Sequence, residues 1–442
     1  MTSVDVVVVG AGLAGLSCAR DLALAGTDVV VLEARPRTGG RVEGATLDDG
    51  RTVQLGGEVV GSVHLAYQEL ATELGLRLVP SYTDIGGVAF YDLRDTVHRD
   101  GGWLADAEAQ LQRLDATLVE VARSVDPTFP LDTEDAQRLD DLSVAAFARD
   151  VGVTPSALRL LDLKMRYTGL DGARDLSVLG QLRAIASVGG HSPTDYEVWE
   201  NLKVEGGSSV LVDALTAALA DRIHLASPVV ALEVGPTCRT VLVGGETFES
   251  SAIVCALPAP VLRSLRLEGV SDERVRSLRR QRQVPAVKAV VALDEPVWEK
   301  VGCNGQILSE RESGGFWVQG GSVLSSLSGP DLVASVERAT PGVATQRLLT
   351  GLERALGPVG STQVLWRHWA SDPFSLGYVA HWAPGDLTAV GPLHGTHEPP
   401  FFVAGSDHWA SGYMEGAVAT GRAAAAAVLG HPDRRPVYRH PR

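Results

Sequence analysis

The chain has 442 residues, of which 45% are hydrophobic and 21% charged, and these values exclude a disordered, collagen-like or fibrous protein. Such a length allows about three domains, or two large ones. The formal net charge of −15 argues against nucleic acid as the main partner, because proteins that bind the phosphate backbone carry a basic surplus.

The first predicted elements form a βαβ unit. Residues 5–9 are a β-branched run typical of a strand buried on both faces of a parallel sheet. Residues 16–25 predict a helix that ends at Gly26, and residues 28–32 predict a second buried strand followed by Glu33. A complete unit of about thirty residues is the size expected for this motif.

The rest of the chain alternates helical and strand-like patterns. Helices are predicted over residues 65–74, 105–125, 176–187, 340–356 and 416–429, and strands over residues 223–225, 228–234, 240–243, 252–255, 284–294 and 401–405. This predicts the α/β fold class, with a Rossmann-like nucleotide-binding domain interleaved with an α+β substrate-binding domain made of insertions. The predicted boundaries are 1–78, 204–280 and 372–430 for the first domain, 79–203 and 281–371 for the second, and 431–442 for a polar tail.

The turn after the first predicted strand has the glycine spacing of a dinucleotide site. Gly10 permits the tight turn, Gly12 lets the backbone approach a pyrophosphate, and Gly15 lets the helix pack on the sheet. Leu13 and Ala14 begin the helix, where free N–H groups and the positive end of the dipole favour phosphate. The spacing predicts a dinucleotide, and by itself it fits FAD and NAD equally.

The residues after the second strand narrow this choice. Glu33 can accept both hydroxyls of an adenosine ribose, and the glycine pair at 39–40 lies between arginines that can neutralise a pyrophosphate. Residues 33–41 resemble the E-A-R-x-R-x-G-G-R signature of the flavin amine oxidase superfamily, which includes monoamine, polyamine and L-amino-acid oxidases and related desaturases. The FAD contacts that the resemblance implies in this segment are Glu33, Ala34, Arg35, Gly39, Gly40 and Arg41.

Further motifs extend the resemblance along most of the chain. Residues 55–61 are similar to the family's G-G-x-x-x-G segment beside the flavin, and residues 221–229 to the strand whose valine contacts the adenine side of FAD. Residues 252–258 and 287–298 resemble two more family segments, and residues 402–407 and 411–417 its C-terminal FAD motif. The contacts implied here are Gly56, Gly57, Glu58, Val229, Gly405, Ser406, Tyr413 and Met414.

Lys288 is the candidate for the reaction centre, because it interrupts an apolar run from residue 284 to residue 293. A buried lysine is unfavourable without a partner, so one interpretation places it on the solvated face of an edge strand. The family resemblance implies the other interpretation. In the relatives this lysine holds a water molecule against flavin N5 and assists hydride removal or oxygen activation.

Two tyrosines and two tryptophans near the C-terminus are further candidates. Tyr378 and Tyr413 match the pair that forms an aromatic cage in front of the flavin in monoamine oxidases, where ring faces guide an amine nitrogen. Trp369 resembles the family's tryptophan beside the isoalloxazine, although its spacing to Tyr378 is one residue shorter. Trp409 is assigned to the substrate site. Such aromatic residues are equally often core residues.

Several positions depart from the family pattern. Gly377 stands where mammalian monoamine oxidases attach FAD to a cysteine, so we expect FAD to be bound non-covalently. Glu200 aligns with a glutamine of their substrate cavity, where a carboxylate could bind the second ammonium of a diamine or an amino sugar; the alternative is a surface glutamate. Glu58 replaces a small residue, and its role is open. Arg166 and Arg183 are the candidates for a carboxylate-binding arginine.

The resemblance implies an FAD-dependent amine oxidase. A hydride equivalent passes from the amine α-carbon to flavin N5, the imine hydrolyses to an aldehyde or ketone, and O2 reoxidises the flavin with release of hydrogen peroxide. One alternative is an L-amino-acid oxidase or a desaturase, which needs a carboxylate-binding arginine or an all-apolar cavity. Another is a non-catalytic dinucleotide-binding protein, for which Lys288 and the two tyrosines would be unnecessary.

The cysteine spacing indicates whether a metal site is expected, and the hydropathy pattern indicates the cellular location. The four cysteines form no CxxC pair and no zinc-ligand spacing, so we expect free thiols and no metal site. No apolar run approaches the length of a membrane span, and the residues before the first predicted strand show neither a basic n-region nor a cleavage site. We expect a cytoplasmic protein without a membrane anchor. The expected partners are a small amine, O2 and a second copy of the chain in a homodimer.

Overall fold

The structure is a computed structural model that describes residues 2–93, 96–99, 101–167, 172–311 and 314–431. Its strands are β1 Thr2–Val9, β2 Val29–Leu32, β3 Gly44–Thr46, β4 Thr52–Gln54, β5 Leu78–Pro80, β6 Val88–Leu93, β7 Thr96–His98, β8 Leu202–Val204, β9 Ile223–His224, β10 Val229–Glu233, β11 Cys238–Leu242, β12 Thr247–Cys255, β13 Arg266–Glu268, β14 Arg282–Val284, β15 Val287–Leu293, β16 Cys303–Ser309, β17 Gly315–Gly320, β18 Val323–Ser328, β19 Ser361–His368, β20 Val379–His381 and β21 Phe401–Val403.

The helices occupy the segments between these strands. They are α1 Leu13–Leu24, α2 Leu65–Glu73, α3 Ala105–Ala122, α4 Ala136–Asp141, α5 Val144–Asp150, α6 Pro155–Tyr167, α7 Val178–Ser187, α8 Tyr196–Trp199, α9 Ser208–Ala218, α10 Asp272–Arg280, α11 Val297–Lys300, α12 Pro330–Arg338, α13 Pro341–Leu356, α14 Asp386–Val390 and α15 Met414–Val428. Short 3₁₀ turns complete the described segments, for example Tyr82–Asp84 and Ser406–His408.

The first sheet has eight strands in the order β13-β10-β11-β12-β1-β2-β9, with β21 paired to the end of β12. β1 runs parallel to both β2 and β12, so that Val8 lies opposite Val31 on one side and Val254 on the other. Apolar clusters cover both faces of this sheet, which explains the continuous valine run of β1. The predicted parallel sheet is confirmed, and β12 begins earlier than expected because β11 pairs with its first residues.

Helices α1 and α15 pack closely over this sheet. A Cβ at Gly15 would overlap the carbonyl oxygen of Gly10, and a Cβ at Gly421 would overlap that of Ala14. Both positions therefore require a residue without a side chain. This close packing fixes the N-terminus of α1 at the end of β1, where the glycine-rich turn lies.

The second sheet has seven strands in the order β19-β15-β18-β17-β16-β6-β7. All seven residues of β15 are buried, and β15 has hydrogen-bonded neighbours on both sides. The placement of Lys288 on a solvated edge strand is therefore wrong. The single strand expected over residues 284–294 is also divided: Pro285 cannot donate a ladder hydrogen bond, and β14 pairs instead with β20.

The two sheets draw their strands from separated segments of the chain, which is the interleaving that the sequence predicts for the fold. Within the predicted segment 372–430, Trp382, Leu387 and Val390 join the large core of the second sheet, whereas Phe402 packs on the first. The domain boundaries, the homodimer and the cytoplasmic location stay predictions. In the described ranges, no helix combines the length and the hydropathy needed to cross a bilayer.

Candidate active site

A cavity of about 450 Å³ runs from the N-terminus of α1 to the buried face of the second sheet. Its nucleotide end is lined by the glycine-rich turn, Glu33 and the segment around Gly40. Its inner end is lined by Lys288, Trp317, Glu200, Tyr378 and Tyr413 among others. One continuous space therefore joins the predicted cofactor residues to the predicted reaction centre.

The nucleotide end is built mainly from backbone. The N-cap of α1 is Gly12 in an extended conformation, and no side chain caps the helix. A Cβ at Gly40 would lie 3.1 Å from the Cα of Gly12, so two glycine segments meet here without side chains between them. Open helical N–H groups beside such a cradle suit a pyrophosphate, and the residues present fit a dinucleotide.

Glu33 is held at this end by backbone donors. The side chain is 4% exposed; Oε2 accepts a hydrogen bond from the N–H of Ala11 at 2.8 Å, and Oε1 accepts one from the N–H of Arg35 at 2.9 Å. A carboxylate has about four acceptor positions. Glu33 therefore keeps acceptor capacity for ribose hydroxyls while its orientation is fixed.

Two arginines connect the nucleotide end to the C-terminal segments. Arg35 pairs with Asp372 at 2.5 Å, and Arg41 donates to Asp407 Oδ1 and to the carbonyl oxygen of Tyr378, both at 2.9 Å. Burial works to raise the pKa of Asp407, but the Arg41 cation overcomes it and lowers the pKa. Both arginines line the cavity, and Arg41 also positions the backbone of Tyr378.

Lys288 forms a buried ion pair at the inner end of the cavity. Its side chain is 2% exposed, and Nζ donates to Glu58 Oε2 at 2.8 Å and to the carbonyl oxygen of Gly56 at 2.9 Å. Nζ also lies 5.5 Å from the centre of the Trp317 ring. The partner that a buried lysine requires is therefore Glu58, the residue whose role the sequence left open.

Glu58 is itself surrounded by donors that the sequence analysis missed. Trp317 Nε1 donates to Oε1 at 3.1 Å, while Gln319 Nε2 and Ser325 Oγ donate to Oε2 at 3.1 Å and 2.8 Å. β17 and β18 present these three side chains. β17 and β18 are buried along almost their whole length, so their sequences do not alternate between buried apolar and exposed polar residues. The sequence pattern therefore does not show that these polar side chains meet at Glu58.

Glu200 lies in the same inner end, directly after α8, and is 8% exposed. The hydroxyl of Tyr82 donates to Oε2, and the hydroxyl of Tyr413 donates to Oε1 at 2.8 Å. Burial raises the pKa of Glu200, and the two tyrosine hydroxyls act in the opposite direction. The interpretation of Glu200 as a surface glutamate is therefore wrong.

The two predicted cage tyrosines both reach the cavity. The ring of Tyr413 lies 4.8 Å from that of His64 and 5.3 Å from that of Trp199. Tyr378 is held by its backbone, since its N–H donates to the carbonyl oxygen of Val284 at 2.8 Å. Burial raises the pKa of both hydroxyls, so both tyrosines stay protonated at neutral pH.

Comparison with known proteins assigns the chain to a family. The model of the family described as "Flavin containing amine oxidoreductase" matches residues 13–429. The chain belongs to this family. It is therefore an FAD-dependent oxidoreductase that acts on amines, and oxygen is the usual electron acceptor in this family.

The individual relatives agree with this assignment. A Mycobacterium tuberculosis protein named "Putative flavin-containing monoamine oxidase AofH" is 29% identical over 458 residues, covering 96% of each chain. Pig amine oxidase B is 25% identical and is matched over 96% of this chain and 86% of its own length.

Solved structures share the fold. Putrescine oxidase bound to putrescine superimposes with a TM-score of 0.86 at 24% identity, covering 97% of this chain and 99% of that one. Cyclohexylamine oxidase from Brevibacterium oxydans gives a TM-score of 0.85 at 23% identity, with the same coverage.

Most of the residues predicted for this flavin enzyme line the cavity. Those that do are Gly10, Gly12, Leu13, Ala14, Glu33, Ala34, Arg35, Gly39, Gly40, Arg41, Gly56, Gly57, Glu58, Glu200, Val229, Lys288, Tyr378, Gly405, Ser406, Tyr413 and Met414. Among the described residues, Gly15, Trp369 and Trp409 are predicted site residues that do not line it. Gly15 acts through helix packing, as expected.

The two tryptophans outside the cavity wall are buried. Trp369 donates from Nε1 to the carbonyl oxygen of Leu55 at 3.0 Å and stacks with the guanidinium of Arg367, 4.2 Å from its ring centre. Trp369 thus fixes the start of the segment that carries Gly56 and Gly57. Trp409 packs against Gly416 at the start of α15. Direct contact of either tryptophan with flavin or substrate stays a prediction.

The two candidate carboxylate-binding arginines are engaged away from the cavity. Arg166 pairs with Asp162 at 2.8 Å and with Asp331. Arg183 donates to the carbonyl oxygen of Pro127 at 2.8 Å and contacts His394 Nδ1 at 3.1 Å. Within the described part of the chain, neither lines the cavity.

The cysteines and histidines form no metal centre in the described segments. All four cysteines are described, buried and free, and none of them lines the cavity. His394 and His408 are buried and His397 is half-buried, and loss of solvent lowers the pKa of each; for His397 and His408 it falls to about 4. All three histidines are therefore neutral at pH 7.

Proposed function

We propose that this protein oxidises a small amine with non-covalently bound FAD, using the inner end of the cavity as the substrate site. The observation that carries the proposal is the convergence of Lys288, Tyr378, Tyr413 and Glu200 on one cavity whose other end fits a dinucleotide. Such a site combines aromatic faces, a buried cation and a buried carboxylate. A small amine, with its apolar body and cationic nitrogen, matches that combination.

Non-covalent binding of FAD is supported by the cavity wall. Gly377 aligns with the cysteine to which mammalian monoamine oxidases attach FAD. No cysteine occurs among the described residues of the cavity lining. A thioether bond to the flavin would need such a thiol. FAD when bound supplies the two-electron acceptor for the α-C–H of the amine, and oxygen regenerates it with release of hydrogen peroxide.

The chain's own residues bind and orient the amine. The rings of Tyr378 and Tyr413 offer faces that attract a cationic or lone-pair-bearing nitrogen. Their hydroxyls are anchored or buried, so the rings lose little additional freedom when substrate binds. Imine hydrolysis to an aldehyde or ketone completes the proposed reaction.

Lys288 has the geometry to hold a water molecule or to orient oxygen. An ammonium carries three donors, and two of them are used by Glu58 and Gly56 in the described structure. The third donor is available to a molecule in the cavity. Because Glu58 neutralises the lysine, the pair adds a fixed dipole to the site without adding net charge.

The cavity disfavours the alternative reactions. An L-amino-acid oxidase needs an arginine for the substrate carboxylate, but the arginines in the described lining, Arg35 and Arg41, lie at the nucleotide end. A desaturase with an all-apolar cavity does not match the buried carboxylates of Glu58 and Glu200. Amine oxidation is the activity that the side chains support best.

Anaerobic bleaching of the flavin absorbance tests the proposal. The purified yellow protein is mixed with aryl amines, diamines, amino sugars and L-amino acids, and the flavin spectrum is followed. Bleaching by one of the amine classes is expected. Bleaching by L-amino acids alone, or by dithionite alone, would contradict the proposal, and a protein without flavin would contradict its foundation.

A further inference from the structure

Glu200 is a buried acid without a cationic partner among the described residues. Its two oxygens accept from Tyr82 and Tyr413, which are neutral donors. Lys288, the cation that also lines the inner end, donates to Glu58 instead. The inner end therefore holds two carboxylates and one ammonium, and the excess acid is Glu200.

The groups around Glu200 come from several elements of the fold. The titratable side chains close enough to interact electrostatically with Glu200 are Tyr82, Tyr167, Tyr196, Tyr378, Tyr413, Glu58 and Lys288. The five tyrosines are neutral, because burial raises the pKa of each. Glu58 and Lys288 form an ion pair, so among the described groups of this set Glu200 is the carboxylate without a cationic partner.

An aliphatic amine poses a protonation problem for such a site. Its pKa resembles that of lysine, about 10.4, so it arrives as an ammonium at neutral pH. Oxidation at the α-carbon requires the neutral form, whose lone pair stabilises the developing iminium. Once the cavity excludes water, the proton needs an acceptor within the site.

We propose that Glu200 is this acceptor and that Tyr413 positions it beside the nitrogen held between the aromatic rings. An N–H bond of the substrate ammonium breaks and an O–H bond forms on a carboxylate oxygen of Glu200. The products are a neutral amine and a neutral carboxyl group. The electron pair of the N–H bond stays on nitrogen, and a lone pair of the carboxylate forms the O–H bond, so neither group is oxidised or reduced. The inference rests on the proposed amine oxidase function.

The hydrogen bonds to Glu200 suit this exchange. Burial favours the protonated carboxyl, whereas the hydroxyls of Tyr82 and Tyr413 favour the carboxylate, so the two forms are closer in free energy than in water. A carboxylate that already accepts two bonds keeps about two acceptor positions for an ammonium. The hydroxyl of Tyr413, a member of the predicted cage, links the acid directly to the place where the nitrogen binds.

The test compares the wild type with E200Q and with a matched control. Glu197→Gln makes the same change three residues earlier, on the exposed side of α8. The amine that bleaches the flavin best is used below saturation, and the second-order rate constant of anaerobic flavin reduction, per total amine concentration, is followed from neutral to alkaline pH. Retained flavin absorbance and thermal midpoint establish that each variant is folded.

The wild type and E197Q should keep a pH-independent reduction rate near neutrality, because the proton moves within the site. E200Q must bind the amine after it has lost its proton to solvent. Its rate should therefore fall about tenfold for each pH unit below the pKa of the amine. An E200Q profile that superimposes on the wild type would overturn the proposal.

An infrared measurement provides a readout that does not depend on turnover. The amine α,α-dimethylbenzylamine has no α-hydrogen and cannot be oxidised. Its binding to the oxidised holoenzyme should produce the carbonyl stretch of a protonated carboxyl group in the wild type and E197Q, but not in E200Q. Binding without this band in the wild type would overturn the proposal.

The remaining outcomes separate this inference from the function on which it rests. If no amine bleaches the wild type, the proposed amine oxidase function fails first. If amines bleach it and E200Q weakens only diamines, with an unchanged pH profile for monoamines, then Glu200 binds a second ammonium and the proton-acceptor role is wrong.

Discussion

The two ends of the cavity hold charge by different means. At the nucleotide end, backbone N–H groups orient Glu33, the open N-terminus of α1 faces the cavity, and Arg41 is already paired with Asp407. At the inner end, side chains pair with side chains: Lys288 with Glu58, and Glu200 with tyrosine hydroxyls. The first end is ready for an anion, the second for a cation.

This difference determines how each end can be damaged. A backbone cradle fails when a side chain fills it, and conservative changes elsewhere leave it intact. A side-chain network fails when one partner is removed, because the other is then a buried polar group without compensation. Steric substitutions should therefore affect cofactor binding, and charge substitutions should affect rates.

The largest expected effect comes from Gly15→Ala, which tests the steric character of the nucleotide end. The new Cβ would overlap the carbonyl oxygen of Gly10, so α1 must shift away from the turn that it presents. We expect loss of bound FAD, measured as the ratio of flavin to protein absorbance after purification. Gly342→Ala, where a Cβ meets open space, is the control and should keep full flavin content. A yellow G15A protein would show that the close packing is dispensable.

The second largest effect is expected for Lys288→Met, which tests the ion pair at the inner end of the cavity. We expect FAD to stay bound and either flavin reduction or reoxidation to slow at least tenfold, about 1.4 kcal/mol in activation free energy. Loss of the cation also leaves Glu58 buried without its partner, which costs about 3 kcal/mol of stability. Stopped-flow rates equal to those of the wild type would remove Lys288 from the mechanism.

A double variant separates these two consequences. Glu58→Gln in the Lys288→Met background removes the uncompensated carboxylate, so the thermal midpoint should rise again. The rate should stay low, because the lysine donor is still missing. Recovery of both quantities together would mean that Lys288 serves stability alone.

The nucleotide end was predictable because its parts are close in the sequence. The turn, the helix start and Glu33 lie within one βαβ unit, and the hydrogen bond from Ala11 to Glu33 spans 22 residues. Each part also has a required residue type, such as glycine at a close approach. Local spacing therefore carries most of the information that this end needs.

The inner end was predictable only where the family resemblance named a residue. The pair of Lys288 and Glu58 spans 230 residues, and the bonds of Glu200 to Tyr82 and Tyr413 span 118 and 213. Locally, Glu200 lies among polar residues after a four-residue helix, which is also the pattern of a surface loop. Only the tertiary fold shows that it is buried.

The third largest effect is expected for Tyr378→Ala, which tests the aromatic walls of the inner end. The ring supplies a face toward the amine, while the backbone of Tyr378 stays anchored by Arg41 and Val284. We expect kcat/KM to fall about tenfold with a much smaller change in stability. Tyr378→Phe keeps the ring and should stay within a few-fold of the wild type. Unchanged kcat/KM in the alanine variant would remove this tyrosine from the cage.

The smallest expected effect on activity concerns Glu415, a buried acid whose hydrogen-bond donors in the described structure are backbone N–H groups. Glu415, at the start of α15, accepts from the N–H groups of Ala66 and Tyr67 at 3.0 Å and 2.8 Å and so caps α2. It does not line the cavity, so Glu415→Gln should leave turnover nearly unchanged. Its contribution belongs to stability and resembles the way in which the nucleotide end holds Glu33.

The pH dependence of stability tests this contribution of Glu415. Burial raises the pKa of Glu415 from 4.5 to about 7, so the folded protein binds this proton more tightly than the unfolded chain. The contribution is present below pH 4.5 and is lost as the pH rises through 7, up to about 3 kcal/mol in unfolding free energy. Urea unfolding across this range should show a steeper loss in the wild type than in E415Q. Parallel curves would mean that the backbone donors of α2 stabilise the ionised carboxylate fully, as they orient Glu33 at the nucleotide end.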